Sequence, residues 1–179
     1  MNIKNGLIIL ILYLLCSCTS TNVSTDVRTT LADFIGTKIA TDSIVLIPIN
    51  KIDSVCISSY LASKYKLYVY IDSINCTACK INKMREWSTL FKLFNAQQAS
   101  VIVIFNSDNV QGISSTMELY ELDFTYFLDI EHEFKKVNKI PNIEILQTFL
   151  TRNDTVIAAG TPLNNDKIIN LYQTLISSN

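Results

Sequence analysis

Residues 68–94 read YVYIDSINCTACKINKMREWSTLFKLF, and this stretch decides the fold. An apolar, β-type run over 67–71 leads into Asp72-Ser73-Ile74-Asn75, and Cys76-Thr77-Ala78-Cys79 then opens a helical pattern. Ile81, Met84, Leu90, Phe91 and Phe94 recur at three- and four-residue spacing, with Lys80, Lys83, Arg85 and Lys92 between them. Asn75 is a good N-cap type, so Cys76 is expected at the first helical position. The unpaired backbone N–H groups and the dipole of a helix start favour an anion there, and a thiolate is an anion. Such placement lowers a cysteine pKa from about 8.5 into roughly the 3.5–7.5 range, which makes Cys76 a candidate nucleophile at neutral pH. Cys79, one turn later on the same face, can then attack a mixed disulfide formed on Cys76. Two other uses of the pair stand beside this one. A structural disulfide needs no reactivity, and a zinc site needs about four N/S ligands, for which the chain beyond residue 18 adds only Cys56 and His132.

Strand, short turn, Cys-x-x-Cys and amphipathic helix together resemble the active-site unit of the thioredoxin superfamily. The resemblance extends over most of 39–177. Residues 33–39 (DFIGTKI) look like the leading segment of redoxin-type relatives. Residues 43–49 read as a strand whose Pro48 marks an edge, and residues 52–65 as a short helix with Cys56 on its buried face. SVIVIF over 100–105 has the continuous β-branched character of a central parallel strand. A helix capped by Ser114-Ser115-Thr116, a strand over 125–128 and a helix over 131–138 follow. Strands over 144–151 and 155–159 turn at Arg152-Asn153-Asp154, Gly160-Thr161-Pro162-Leu163 breaks the sheet, and a last helix after Asn164, Asn165 or Asp166 turns Ile168, Ile169, Leu171, Tyr172, Leu175 and Ile176 inward. The resemblance implies an α/β thioredoxin-like fold, a central mixed sheet flanked by helices.

The first residues are of another kind. Lys4, an apolar run over 7–15 and Leu15-Cys16-Ser17-Cys18 resemble a bacterial lipoprotein signal, with Cys18 the residue to be lipidated. Multiple acyl chains would anchor the protein stably to a membrane. The expected organisation is a signal peptide over 1–17, a polar tether over 18–30 lacking periodicity, and a thioredoxin-like domain over 31–179. Export places Cys56, Cys76 and Cys79 in an oxidising compartment, and one thiol stays unpaired if Cys76 and Cys79 bond to each other. The expected location is the cell envelope, facing the periplasm where the host has an outer membrane. A net charge of −1, with 17% charged residues, gives no electrostatic case for nucleic acid.

Two departures from the family pattern bear on the site. A proline usually opens the strand before the final hairpin turn and faces the cysteines; Gln147 stands there, before Thr148-Phe149-Leu150. A non-proline cis bond costs about 2.5–4 kcal/mol, so the Leu146–Gln147 bond is expected to be trans. The second departure is the buried carboxylate that many relatives place behind the second cysteine. Spacing puts Tyr70 at that position, and Asp72, two residues on and facing the same side, is the substitute proton acceptor for Cys79; the other reading of Asp72 is a plain turn-initiating residue. His132, between Glu131 and Glu133, reads as solvated surface.

The resemblance therefore implies an envelope thiol–disulfide oxidoreductase of the membrane-anchored, TlpA-like or redoxin-like kind. Cys76 would attack, Cys79 would resolve, Asp72 would take the proton, and Thr77, Ala78 and Gln147 would face the substrate. The partners would be protein thiols or disulfides, the protein a monomer needing no cofactor or metal. The alternative is a non-catalytic binding or assembly module that keeps the fold and a static disulfide. A peroxidase ranks third, since only Arg85 supports it.

Overall fold

The computed structural model describes residues 21–41, 47–49, 61–72, 77–122 and 124–178, with backbone alone for 21–25, 47–49 and 77–85. The expectations for Cys18, Cys56 and Cys76, and for most of a helix over 52–65, lie outside the described residues. The elements in chain order are α1 (Thr21–Phe34), β1 (Ile47–Ile49), β2 (Tyr65–Asp72), α2 (Thr77–Ala96), β3 (Ala99–Asn106) and α3 (Val110–Leu119). They continue as β4 (Tyr126–Leu128), α4 (Glu133–Val137), a 3-10 turn (Glu144–Leu146), β5 (Thr148–Arg152), β6 (Thr155–Ala159) and α5 (Asp166–Ser177). Residues up to Asp33 form one compact unit and those from Phe34 onward a second. The first contains nearly all of α1, so the stretch expected to be a polar tether is helical from Thr21.

The second unit is built on a six-stranded mixed sheet in the order β1-β4-β3-β2-β5-β6. Strands β2 and β3 lie parallel at its centre, paired from Tyr65–Ala99 to Asp72–Asn106, and all eight residues of each are buried. Burial on both faces explains why these strands read as nearly continuous apolar runs. Side chains alternate along β2. Leu67, Val69 and Ile71 share one core with Trp87, Phe91 and Phe94 of α2 and with Tyr172 and Ile176 of α5. Tyr68 and Tyr70 belong to the opposite core, with Ile102, Ile104, Phe127, Phe134 and Phe149. In that second layer Tyr68 stacks on Phe149, with centroids 5.0 Å apart, and Phe134 stacks on both Tyr68 and Tyr70.

The edges are managed by other means. Strand β1, with Pro48 at its middle, pairs antiparallel with β4 at one edge, where a missing N–H costs no ladder bond. At the other, the leading segment runs along β6: Gly36 N–H donates to Val156 O at 2.8 Å, Val156 N–H to Thr37 O at 2.9 Å and Ile39 N–H to Asp154 O at 2.7 Å. Gly36 has φ of +86°, a conformation glycine adopts without penalty. The β5–β6 turn has positive φ at both Asn153 and Asp154, the hairpin geometry these residue types favour.

Three local readings are corrected. Helix α3 starts at Val110, four residues before the Ser-Ser-Thr run, because Asn109 Oδ1 accepts from Gly112 N–H at 2.9 Å. Residues 144–146 are a 3-10 turn and not the start of a strand, which begins at Thr148. Leu171 is exposed although Tyr172 and Ile176 are buried as expected.

The Tyr172 hydroxyl, fully buried, donates to Gly160 O at 2.6 Å and ties α5 to the end of β6. Burial pushes its phenol above the ordinary range. A raised folded-state value means that unfolded chains lose this proton first as pH rises. The associated stability is therefore present below pH of about 10 and declines above it. In urea unfolding at pH 7 and pH 11, Tyr172→Phe is expected to lower stability at pH 7 by about 1 kcal/mol. The same variant should lose less than wild type between the two; an equal loss would contradict the assignment.

Candidate functional site

The motif helix is described from Thr77, one residue after the position expected to open it. Thr77, Ala78 and Cys79 form the first turn of α2, directly after β2 and a four-residue connection. The side chains of these three residues are not described, and Cys76 lies just before the described helix. Trp87, two turns further on, is buried and packs against Phe91, with centroids 5.7 Å apart.

The C-terminal ends of β2, β3 and β4 gather a set of buried polar groups. Asp72 closes β2 and is buried at 5% exposure. Its carboxylate forms an ion pair with Lys135 Nζ of α4 and accepts from Asn106 Nδ2, its register partner on β3, at 3.3 Å. Asp129, buried at the end of β4, accepts from the Tyr70 hydroxyl at 3.3 Å through one oxygen and from Phe134 N–H at 3.2 Å through the other. Tyr70 and Asp72 share a face, as the alternation requires. Burial raises the Tyr70 phenol well above its ordinary range, and the carboxylates of Asp129 and Asp72 push in the same direction. Tyr70 is thus a neutral hydrogen-bond donor to Asp129, and Asp72 is ion-paired with Lys135.

The loop before β5 differs from the expectation. Among the described residues no peptide bond is cis, Leu146–Gln147 included. The Gln147 side chain, however, is not offered to a partner. The residue is buried at 4% exposure, and its amide donates to Pro141 O at 3.2 Å. Its backbone is committed as well: N–H donates to Glu144 O at 3.1 Å and C=O accepts from Tyr70 N–H at 2.9 Å. Leu146 N–H donates to Ile143 O at 2.9 Å. A 3-10 turn bonds its amides backward within the chain, which removes the free edge an extended partner strand would pair with.

What this end of the sheet offers instead is a cleft of about 350 Å³, lined by Val69, Tyr70, Ile71, Glu86, Trp87, Glu144, Ile145, Thr148, Thr161, Leu163 and Asn164. One wall is α2 and another the 3-10 turn, where Ile145 is 47% exposed. Asn164 Nδ2 donates to Glu86 Oε2 at 3.3 Å, joining α2 to the loop before α5. Only the Gly160-Thr161-Pro162 break in the sequence marked that loop as special; the contribution of Ile145 and Glu144 had no local signal. His132 is exposed, as expected, with a left-handed φ of 59° ahead of α4. No cluster of three or more His, Cys, Asp or Glu suited to a metal occurs among the described residues.

No protein-family model matches the chain, and no curated protein matches it. Solved structures do. The Chlorobium tepidum protein assigned as the thiol:disulfide interchange protein DsbE superposes with a TM-score of 0.58 at 13% identity, over 80% of this chain and 98% of that one. The thioredoxin domain of a thiol-disulfide oxidoreductase from Bacteroides vulgatus gives 0.55 at 12% identity, over 78% and 98%. A Cys-to-Ser variant of PrxQ from Xylella fastidiosa gives 0.56 at 15% identity, over 79% and 96%. At these identities the likeness speaks to architecture, and the architecture of this chain is the thioredoxin-like α/β fold.

Proposed function

We propose that this chain is a thiol–disulfide oxidoreductase of the cell envelope, held to a membrane by lipid on Cys18. The observation that carries the reading is the coincidence of Cys76-Thr77-Ala78-Cys79 with the start of α2, at the end of a fully buried central strand of a thioredoxin-like fold. In the proposed cycle the Cys76 thiolate attacks a disulfide of a partner protein and releases one partner thiolate. Cys79 then gives its proton to Asp72 and attacks Cys76, releasing the second thiolate and closing the Cys76–Cys79 disulfide. The pair is oxidised and the partner reduced; the reverse sequence oxidises a dithiol. Thr77 and Ala78 lie between the cysteines and would tune the potential, which spans roughly −270 to −120 mV among such proteins.

One observation favours a second reading. The bonds that occupy Leu146 N–H and both backbone groups of Gln147 remove the usual strand-like docking edge, as in a module that no longer turns over substrates. Under the oxidoreductase reading the same feature restricts the partner set to proteins that engage side-chain surfaces.

Cys79→Ala separates the two readings. With glutathione disulfide as probe, the variant is expected to stop with one glutathione on Cys76, seen by mass spectrometry, while wild type proceeds to an internal disulfide. A wild-type disulfide that persists in strong reductant, with no adduct in the variant, would favour the static module. Gln147→Ala is expected to leave adduct formation unchanged, because that amide is bonded to Pro141 O. The anchor is tested separately by the mass of the mature N-terminus, which should show acyl chains on Cys18; an unmodified N-terminus elsewhere would overturn it.

A further inference from the structure

We propose that the corner of the sheet where the chain enters the second unit rests on an anionic lipid surface through Lys38, Lys64 and Arg152. The inference rests on the anchored, envelope reading of Cys18 and does not involve Cys76 or Cys79. Register sets the geometry. Lys38 of the leading segment pairs with Thr155, the first residue of β6. Thr155 pairs with Arg152, the last residue of β5, and Arg152 with Tyr65, the first of β2. Register partners on neighbouring strands share a face of the sheet, about 4.8 Å apart at each step, so Lys38 and Arg152 stand on one face roughly 10 Å apart. Both are exposed. Lys64, exposed as well, immediately precedes β2, and its ammonium lies over the Tyr65 ring, 5.3 Å from the centroid. Three cations thus follow one row across the sheet.

The charge balance around this row is one-sided. The segments that form it, residues 35–41, 61–66 and 151–156, hold Lys38, Lys64, Lys66 and Arg152 against one carboxylate, Asp154. Asp154 is engaged with the buried Lys66, 2.5 Å away. Glu118 and Glu121, at the end of α3, lead into β4, two strands from β2 on the side away from the row. A cationic row calls for an anionic occupant, and the connectivity says which. Phe34 opens the second unit and is buried edge-on against Phe149, with centroids 5.1 Å apart. Gly36, Thr37 and Ile39 are then bonded to β6 and its turn, so the incoming chain is delivered beside the row. Lys38 stands twenty positions after Cys18, and fourteen of the residues on the way form α1. A lipid on Cys18 therefore keeps a bilayer within about 45 Å of Lys38, which makes even a weak surface contact effective. Anionic headgroups favour each nearby Lys or Arg by about fivefold, an attraction that fades within a Debye length. The far end of β2, with Asp72 and the cleft, lies about 23 Å along the strand from the row, and a bilayer at the row leaves it clear for partners.

The test reads the row lysine by lysine. The protein, expressed in a bacterial host that acylates lipoproteins, is reconstituted on vesicles of phosphatidylcholine alone or of phosphatidylcholine and phosphatidylglycerol in equal parts. An amine-reactive reagent is added, and the labelling rate of each lysine is followed by mass spectrometry. Lys38 and Lys64 are expected to label about fivefold more slowly on the anionic vesicles in about 0.1 M salt. In about 1 M salt, where the Debye length falls to about 3 Å, the two kinds of vesicle should give equal rates. Lys92 of α2 and Lys167 of α5, both exposed and outside the row, should label alike on both. Lys38→Gln combined with Arg152→Gln should return Lys64 toward its rate on neutral vesicles, and the wild-type comparison does not depend on that variant. Equal rates for Lys38 and Lys64 on the two kinds of vesicle, with the chain sedimenting on both, would overturn the lipid contact. So would equal slowing of Lys92 and Lys167. Slowing in native envelopes that lipid vesicles do not reproduce would assign the row to an acidic protein and overturn it too. A chain that is unacylated and stays in the supernatant would instead overturn the anchor reading, and this inference with it.

Discussion

Two charges of opposite sign stand near the ends of β2, a strand buried along its whole length, and elements on either side of it carry their partners. Lys66, at 2% exposure, meets Asp154 of the β5–β6 turn at 2.5 Å and donates to Leu61 O; Asp72, at 5%, meets Lys135 of α4. Removing Asp154 or Lys135, each partly exposed, would leave the buried charge of Lys66 or Asp72 without compensation. The hairpin turn and the short helix are therefore not free to wander. Lys66, Tyr68, Tyr70 and Asp72 form one face of β2, while Leu67, Val69 and Ile71 form an aliphatic face against the motif helix. One layer thus packs α2 by hydrophobic contact, and the other sets charge and hydrogen bonds at the strand's two ends.

That division bears directly on function. The body of α2 leans on the aliphatic face through Trp87, Phe91 and Phe94. The groups suited to proton handling approach from the opposite layer and converge only at the C-terminal end of β2, where the chain turns toward the cysteines. Ligands of open α/β sheets commonly bind at that end of the strands. The same end carries the cleft between α2 and the 3-10 turn, whose backbone amides are already used within the chain. On the proposed function, recognition there would fall to side chains, Ile145 among them, and not to strand pairing.

Much of this was legible in the sequence. The two apolar runs became β2 and β3, Pro48 marked an edge strand, and Arg152-Asn153-Asp154 marked the last hairpin, because each signal is local. Reading 67–71 as an apolar run passed over its alternation with Lys66, Tyr68, Tyr70 and Asp72, which foreshadows the two unlike layers. The start of α3 was misplaced because Asn109 and Ser114 are both acceptable caps, and only the bond to Gly112 N–H decides between them. The inward turn of Gln147 depends on Pro141 O six residues away, and the Asp72–Lys135 pair joins groups 63 residues apart. No spacing rule reaches that far. The expectations for Cys18, Cys56 and Cys76 stand as sequence readings, Cys76 the most consequential of them.

The claim on which the account turns is that Cys76 and Cys79 exchange electrons with other thiols as a pair. The most direct measurement equilibrates the protein in glutathione buffers of graded ratio and follows it by mass and by the fluorescence of Trp87, the sole tryptophan, on the motif helix. The account predicts one reversible two-electron transition, with dithiol and internal disulfide as its end states and both probes moving together. A pair that remains fully oxidised across the range, or that collects glutathione on single cysteines without forming an internal disulfide, would contradict it.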